Sequence, residues 1–409
     1  MLKMFTENGF EIVNVVPNYD GIGHIIPGKH ISGELINKFT FGLFKEFFVI
    51  QYIIKAKKKN LKMNPKVSII ILNWNGWKDT IECLESLYQI DYPNYEVILV
   101  DNNSQDDSIE KIRQYCKGEI PVESKFFKYH QENKPIKIIE YAREEAENGG
   151  RKEDEIKDLP SNRKLILIKN EKNYGFAEGN NIAMRYALKS LNPDYILLLN
   201  NDTVVDKEFL GELIKVAGSN HKIGIVGAKT YCYDQPNIIQ YTWNKISFLT
   251  GNIFFAGAGD IDRGQYNDIK NTSYVQGSCF LIKQEVVGVI GLFDVRYYCY
   301  WEETDYCMRA KKARYLSVYC PKAKIWHKGG GATRDDKKNL FSRYYSTRNK
   351  LLFMKKHANA WQFLLFLLYF FGLQFWITSG AYIIYRRDIK KFMSFFKGVI
   401  DGLKSCMYF

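Results

Sequence analysis

Two rhythms of apolar residues alternate through the middle of the chain. Short runs rich in β-branched residues, at 67–72, 97–100, 165–168, 195–199 and 223–226, read as buried strands. Between them, Trp77, Ile81, Leu84 and Tyr88, and later Phe209, Leu210, Leu213 and Ile214, recur at helical spacing. Strands alternating with helices predict an α/β fold, with a Rossmann-like, mainly parallel sheet flanked by helices. Such sheets bind ligands beyond the carboxyl ends of their strands. Residues 118–163 break the rhythm: they are polar and charged, contain Gly149-Gly150, and read as a partly helical surface insertion.

The pattern divides the chain into residues 1–63, which end in a Lys-rich linker, residues 64–340, and residues 341–409. In the last region, 358–385 carries no charged side chain and exceeds the ~20 apolar residues needed to cross a bilayer. Lys355, Lys356, Arg386 and Arg387 flank it, with Trp361, Trp376 and Tyr385 where interfacial aromatics sit. This predicts a spanning or deeply inserted helix, against a buried core helix. Phe392, Phe395, Phe396, Val399, Ile400 and Leu403 then form one helical face opposite Lys390, Lys391, Ser394, Lys397, Asp401 and Lys404. A helix lying in the membrane interface and one packed on the preceding domain both fit.

Charge narrows the partners. The 409 residues carry a formal net charge of +13. That balance suits nucleic acid, anionic lipid or phosphorylated ligands. The lysines are spread out, with local runs at 57–59 and around 386–391, and no basic helix is interleaved with aromatics. A membrane surface and a diphosphate are therefore the expected partners, and nucleic acid is not. Eight cysteines without a CxxC pair fit thiols in a reducing compartment. No signal-peptide pattern opens the chain. The expected location is the cell membrane, with the catalytic region on its cytoplasmic face.

Six segments carry candidate chemistry. Asn73-Trp74-Asn75-Gly76 and Asp101-Asn102-Asn103-Ser104 close the first two strands. Amides and a carboxylate there suit a nucleoside, although an ordinary turn and a helix N-cap read equally well. Asn173-Tyr174-Gly175-Phe176-Ala177-Glu178-Gly179-Asn180-Asn181 opens a helix whose small residues would let its backbone approach an anion. Asn200-Asn201-Asp202 follows a buried strand and offers hard oxygen ligands for a divalent cation. Trp301-Glu302-Glu303-Thr304-Asp305 crowds three carboxylates, which is tolerated where a cation or proton transfer uses them, or at a solvated helix start. In Ile325-Trp326-His327-Lys328-Gly329-Gly330-Gly331, a histidine after a strand can ligate a metal.

Taken in this order, the segments resemble the inverting family 2 glycosyltransferases with the GT-A fold, in their rhamnosyltransferase-like branch. The resemblance covers residues 66 to about 350 and is most specific at 173–181, 199–203 and 277–309. It implies a GT-A catalytic domain at 64–340 and C-terminal membrane-associated helices at 341–409. The implied activity is metal-dependent transfer of a sugar, such as rhamnose, from a nucleotide-diphosphate sugar to a glycan or lipid-linked acceptor in cell-surface polysaccharide synthesis. Asn73, Asn75, Asp101, Asn103, Gly175, Phe176, Gly179, Asn181, Asn201 and Arg348 would contact the donor. Asp202, Asn200 and His327 would hold Mg²⁺ or Mn²⁺, with Asn200 standing where the family usually has an acid. Glu303 would be the catalytic base, with Glu302 and Asp305 as the other candidates. Residues 1–60 instead resemble the tail of a class I methyltransferase, or are an unrelated extension. Two other functions compete: a sugar nucleotidyltransferase, which needs a Gly-rich basic loop that Asn73–Trp77 does not supply, and a non-catalytic sugar- or membrane-binding protein, which has no need of Asp202, the Glu302–Asp305 cluster and His327 together.

Overall fold

The computed structural model describes residues 64–329 and 336–407, with the backbone of two further strands. These strands, β1 (Phe10–Asn18) and β2 (Gln51–Lys58), pair antiparallel. They belong to a separate compact unit, Met1–Met63. The methyltransferase likeness of residues 1–60 rests on Glu7–Ile12 and Phe48–Lys55; of these, Glu7-Asn8-Gly9 and Phe48-Val49-Ile50, and also Gly330-Gly331, lie outside the described residues.

The second unit, Asn64–Phe409, begins with β3 (Val67–Asn73), α1 (Trp77–Leu87), β4 (Tyr95–Asp101) and α2 (Ser108–Lys117). It continues through β5 (Lys137–Ala142), α3 (Arg143–Glu147), β6 (Lys164–Lys169), α4 (Gly175–Tyr186), β7 (Tyr195–Asn200), β8 (Thr203–Val205) and α5 (Phe209–Ser219). Next come β9 (Ile223–Cys232), β10 (Ile239–Tyr241), β11 (Asn244–Ile246), β12 (Ile253–Phe255), β13 (Lys270–Asn271) and β14 (Cys279–Lys283). The remaining elements are α6 (Gln284–Ile290), α7 (Glu302–Lys312), β15 (Leu316–His327), α8 (Asp336–His357), the apolar helical run α9 (Ala360–Tyr385) and α10 (Ile389–Met407).

One sheet runs β13-β15-β9-β14-β7-β3-β4-β6-β5, with β10 on β9 and β8 on β15. From β7 to β5 all pairings are parallel, whereas β14 lies antiparallel between β7 and β9. The mainly parallel sheet flanked by helices expected of a GT-A fold is therefore present. Alternation along β3 sends Ile69 and Ile71 to a core with Leu84, Leu87 and Leu213, and Ile70 to a second core with Ile182, Tyr186 and Phe280. Burial on both faces explains why these strands read as continuous apolar runs.

The stretch 118–163 is more than a surface insertion, because it supplies the edge strand β5 and buries Ile139, Tyr141 and Ala146. Its outer face is charged: Glu140 binds Arg113 and Lys169 at 2.7 and 2.9 Å. That charge hid the strand from its sequence pattern and suits an exposed edge.

The C-terminal helices share a third core, formed by Leu351, Phe353, Phe366, Phe370, Tyr382 and Phe395, together with Tyr297 of the preceding region. Among the described residues, α9 is the one helix long and apolar enough to cross a membrane. It buries one side through Phe366, Phe370 and Tyr382 and exposes Trp361, Leu368, Trp376, Ile377 and Ile384 on the other. Lys350 of α8 ties it down, donating to Gln374 at 3.1 Å and to Asn252 at 2.9 Å.

Candidate active site

Strand register gathers three of the segments at one edge. Asn73 pairs with Asp101 across β3 and β4, and Leu72 with Asn200 across β3 and β7. The Asp101 carboxylate is buried and accepts from Asn73 Nδ2 at 2.8 Å, Ser104 N at 3.0 Å and Ser104 Oγ at 2.6 Å. Asn73 Oδ1 in turn accepts from Thr80 at 2.8 Å, and Asn201 Nδ2 donates to Thr80 at 3.0 Å. Asp101, Asn73 and Asn201 thus shape the rim through bonds within the chain. Asn75 and Asn103 sit on it in left-handed conformations, and Trp74 is 50% exposed there. Trp74 is an open aromatic face for a planar ligand; the sequence displays it but gives it no role.

Asp202 and His327 meet because β15 pairs with β8, aligning His327 with Thr203. His327 Nε2 lies 3.1 Å from Asp202 Oδ1, and Nδ1 lies 2.7 Å from Gln240 Oε1. Gln240 Oε1 accepts from Nδ1–H, which leaves Nε2 to donate to Asp202 or, with a cation bound, to ligate it beside the carboxylate. Two electron-rich atoms at that spacing suit a shared cation, and the outer hydrogen bond fixes the tautomer as in metal-ligating histidines. Burial opposes ionisation of Asp202, but His327, a backbone hydrogen bond and Lys328 outweigh it and hold the carboxyl below its ordinary range. Among the described residues no three His, Cys, Asp or Glu side chains form a metal cluster. Asp202 and His327 would offer one oxygen and one nitrogen ligand, a donor set that fits a Mg²⁺- or Mn²⁺-type ion. Asn200 belongs to the same cluster, but its amide nitrogen, not its oxygen, faces His327 Nε2 at 3.3 Å.

The acidic cluster stands on a strained loop. Tyr298, Tyr300 and Trp301 have φ values of 61°, 67° and 74°, unusual for bulky residues. Two clasps hold them. The first-turn amides of α4, Phe176 N and Ala177 N, donate to the Tyr298 carbonyl at 2.8 and 3.0 Å. The fully buried Asn349 of α8 donates through Nδ2 to the carbonyls of Tyr297, Cys299 and Tyr300 at 2.7–2.8 Å. Tyr298 also stacks on Tyr345 at 5.1 Å, and Trp301 packs on Phe353 at 5.0 Å.

The loop delivers Glu302 and Glu303 at the start of α7, each with one buried oxygen lacking a hydrogen-bond partner. Burial, then the charge of Glu303, raises Glu302 far above the usual carboxyl range. Burial raises Glu303 to about 7, partly offset by backbone hydrogen bonds. One of the pair is thus kept protonated while the other is poised to exchange a proton near neutrality. Strand β10 carries Gln240, which binds His327, and Tyr241, whose phenol is raised first by burial and then by the charge of Glu303.

Other expected site residues take structural positions. Asp305 is fully buried against Lys356 at 2.6 Å, His357 at 2.7 Å and Arg309 at 2.8 Å, so it anchors α7 and is no free base. The α4 N-terminus holds a carbonyl instead of an anionic ligand. A Cβ on Gly175, at φ +75°, would strike the Tyr298 ring, and one on Gly179 would lie 2.9 Å from Leu72. The side chain of Asn181 exchanges two hydrogen bonds of 2.9 Å with the Phe293 backbone, and Phe176 lies beside Gly277. Arg348 donates to the Arg296 carbonyl and to Asn349, at 2.8 Å each. Sequence reasoning missed Asn349 and Gln240, whose partners lie far away in the chain. Asn349 does stand beside Arg348, which was already a candidate.

Comparison with known proteins follows this geometry. A family model described as "Glycosyltransferase like family 2" matches residues 138–350, and one described as "Glycosyl transferase family 2" matches residues 68–139. The chain is 27% identical over 162 residues to the low-salt glycan biosynthesis hexosyltransferase Agl10 of Haloferax volcanii, covering 39% of this chain and 50% of that one. It is 34% identical over 90 residues to an N-acetylglucosaminyl-diphospho-decaprenol L-rhamnosyltransferase of Mycobacterium tuberculosis, covering 22% of this chain and 29% of that one. The chain therefore spans half or less of the length of these relatives. Among solved structures, the mannosyltransferase PcManGT from Pyrobaculum calidifontis, in complex with GDP-Man and Mn²⁺, is similar with a TM-score of 0.46 and 13% identity, covering 84% of this chain and 88% of that one.

Proposed function

The chain belongs to glycosyltransferase family 2, and from that premise we propose an inverting hexosyl- or rhamnosyltransferase that uses a nucleotide-diphosphate sugar and a lipid-linked acceptor at a membrane surface. The observation that carries this reading is a buried acidic pair, with Glu303 raised to about 7, in a chain that also brings together a carboxylate–imidazole pair suited to a cation.

In this mechanism Glu303 accepts the proton of the acceptor hydroxyl as that oxygen attacks the anomeric carbon. The diphosphate leaves from the opposite face, which inverts the configuration. Glu302 stays protonated beside Glu303 and limits the pair to one charge. Trp74, Asn75 and Asn103 receive the nucleoside on a rim braced by Asp101, Asn73 and Asn201. Asp202 and His327 would hold Mg²⁺ or Mn²⁺, which supplies positive charge to the departing diphosphate. The apolar face of α9 and the amphipathic α10 seat the protein on the cytoplasmic side of the membrane.

A screen of nucleotide-diphosphate sugars against lipid-linked acceptors, reading nucleoside diphosphate release, tests the proposal. Release with no donor, alone or with acceptor, would leave only a binding role.

The pH profile gives a second test. A base must be unprotonated, so kcat/KM falls as pH drops through about 7 and levels off above it. The described titratable groups that feel the charge of Glu303 are Glu302, Tyr241, Tyr274, Cys299, Tyr300 and Cys307, and the five neutral ones are all raised first by burial. A rate flat across that range would rule out Glu303 as the base.

The metal pair can be probed without turnover. Gln240→Leu removes the acceptor that orients His327, and Mn²⁺ affinity, read by electron paramagnetic resonance in the presence of nucleoside diphosphate, should fall about 10- to 100-fold. Unchanged affinity would count against His327 as a ligand.

A further inference from the structure

Outside the active site, α8, the end of α9 and the start of α10 enclose a cavity of about 360 Å³ lined by Ser342, Arg343, Ser346, Tyr382, Arg386 and Lys391. Three cations and two serines make up most of its wall. Arg343 and Arg386 both lie over the Tyr382 ring, at 5.3 and 6.0 Å from its centroid. Among the described residues neither guanidinium has an ion pair, while Lys391 pairs with Asp388 at 3.0 Å. Two like charges gathered on one ring repel, and a bound anion relieves that repulsion. Paired guanidiniums with nearby hydroxyls match the oxygens of a phosphate.

Two further features define this anion. Ile383 and Ile384, between Tyr382 and Arg386, are 45% and 77% exposed at the end of the apolar helix, so the ligand meets an uncovered apolar surface beside its charge. Ser342 lies close enough to the Tyr300 phenol to oppose the rise that burial gives it, so the cavity wall reaches the loop that carries Glu302 and Glu303.

We propose that this cavity binds the diphosphate through which the acceptor glycan is joined to its lipid. The inference rests on the transferase reading above and extends it. The donor diphosphate belongs to the Asp202–His327 edge, and the acceptor diphosphate to the far side of the base loop. The sugar between the acceptor phosphate and Glu303 is then one attached close to the lipid.

The test is co-sedimentation of the full chain, without donor, with three vesicles: phosphatidylcholine alone, phosphatidylcholine doped with polyprenyl diphosphate, and phosphatidylcholine carrying phosphatidylglycerol to the same surface charge. The expected result is preferential binding to the polyprenyl diphosphate vesicles. Arg343→Gln and Arg386→Gln should each lower that preference about tenfold, the usual worth of a charge-assisted hydrogen bond. Arg386 is exposed, so its variant should keep the wild-type melting temperature and serves as the control for folding. Equal binding to the charge-matched phosphatidylglycerol vesicles, or a preference that survives both substitutions, would overturn the proposal. Because no donor is present, a failure to find sugar transfer leaves this result standing, and loss of the lipid preference leaves transfer to be judged separately.

Discussion

Glu303→Gln should lower sugar transfer by about 10²- to 10⁴-fold, the range supplied by a positioned general base. Glutamine keeps the shape of the side chain and cannot take a proton. Binding of nucleoside diphosphate, read by calorimetry, should stay near the wild-type value, since the donor groups lie at the β3, β4 and β7 edge. The same change should raise the melting temperature above neutral pH. The Glu303 carboxyl goes from its ordinary 4.5 to about 7 in the folded chain, so folding favours its protonated form. Stability from that preference is complete below about 4.5 and is lost as pH rises through about 7. Above that point the wild type carries a buried charge that the variant lacks. A variant that turns over normally would refute the assignment, and one that melts lower at alkaline pH would refute the burial argument.

Asn349→Ala should have the next largest effect, although Asn349 touches neither donor nor acceptor. Its amide satisfies three carbonyls of a loop with three left-handed residues, and each carbonyl left unpaired costs about 1–3 kcal/mol. The loop should relax towards ordinary backbone angles and move Glu303. Misplacement of a reacting group by about 1 Å can cost about 10²-fold, so kcat should fall by that order with the donor KM little changed. A wetter Glu303 should also shift the acidic limb of the pH profile below 7. That shift separates a positioning role from simple loss of stability: an alanine variant with lower kcat and an unmoved limb would make Asn349 only a structural residue.

The legible parts of this protein were those written locally. Parallel strands buried on both faces, such as β3 and β7, announce themselves as β-branched runs, and the ordered motifs at 173–181, 199–203 and 277–309 carry the family resemblance. β5 escaped because its exposed edge carries Glu140 and its ion pairs. The antiparallel course of β14 is a matter of register, which an apolar pentamer does not encode. Gly175 and Gly179 read as places where a ligand comes close, and in the fold Tyr298 and Leu72 crowd the space a Cβ would need there. Asp305 looked equivalent to its neighbours until Lys356 and His357, from a distant helix, claimed it.

Asn349 and Lys350 are adjacent in α8, yet one grips the loop before the base and the other grips Gln374 of the apolar helix. Neighbouring helical residues are separated by about 1.5 Å along the axis and cannot slide past one another. The proposed base and the apolar helix are therefore mounted on one stiff strut. In the proposed membrane-bound transferase, that strut would act as a ruler, fixing how far above the bilayer a hydroxyl must stand to be glycosylated.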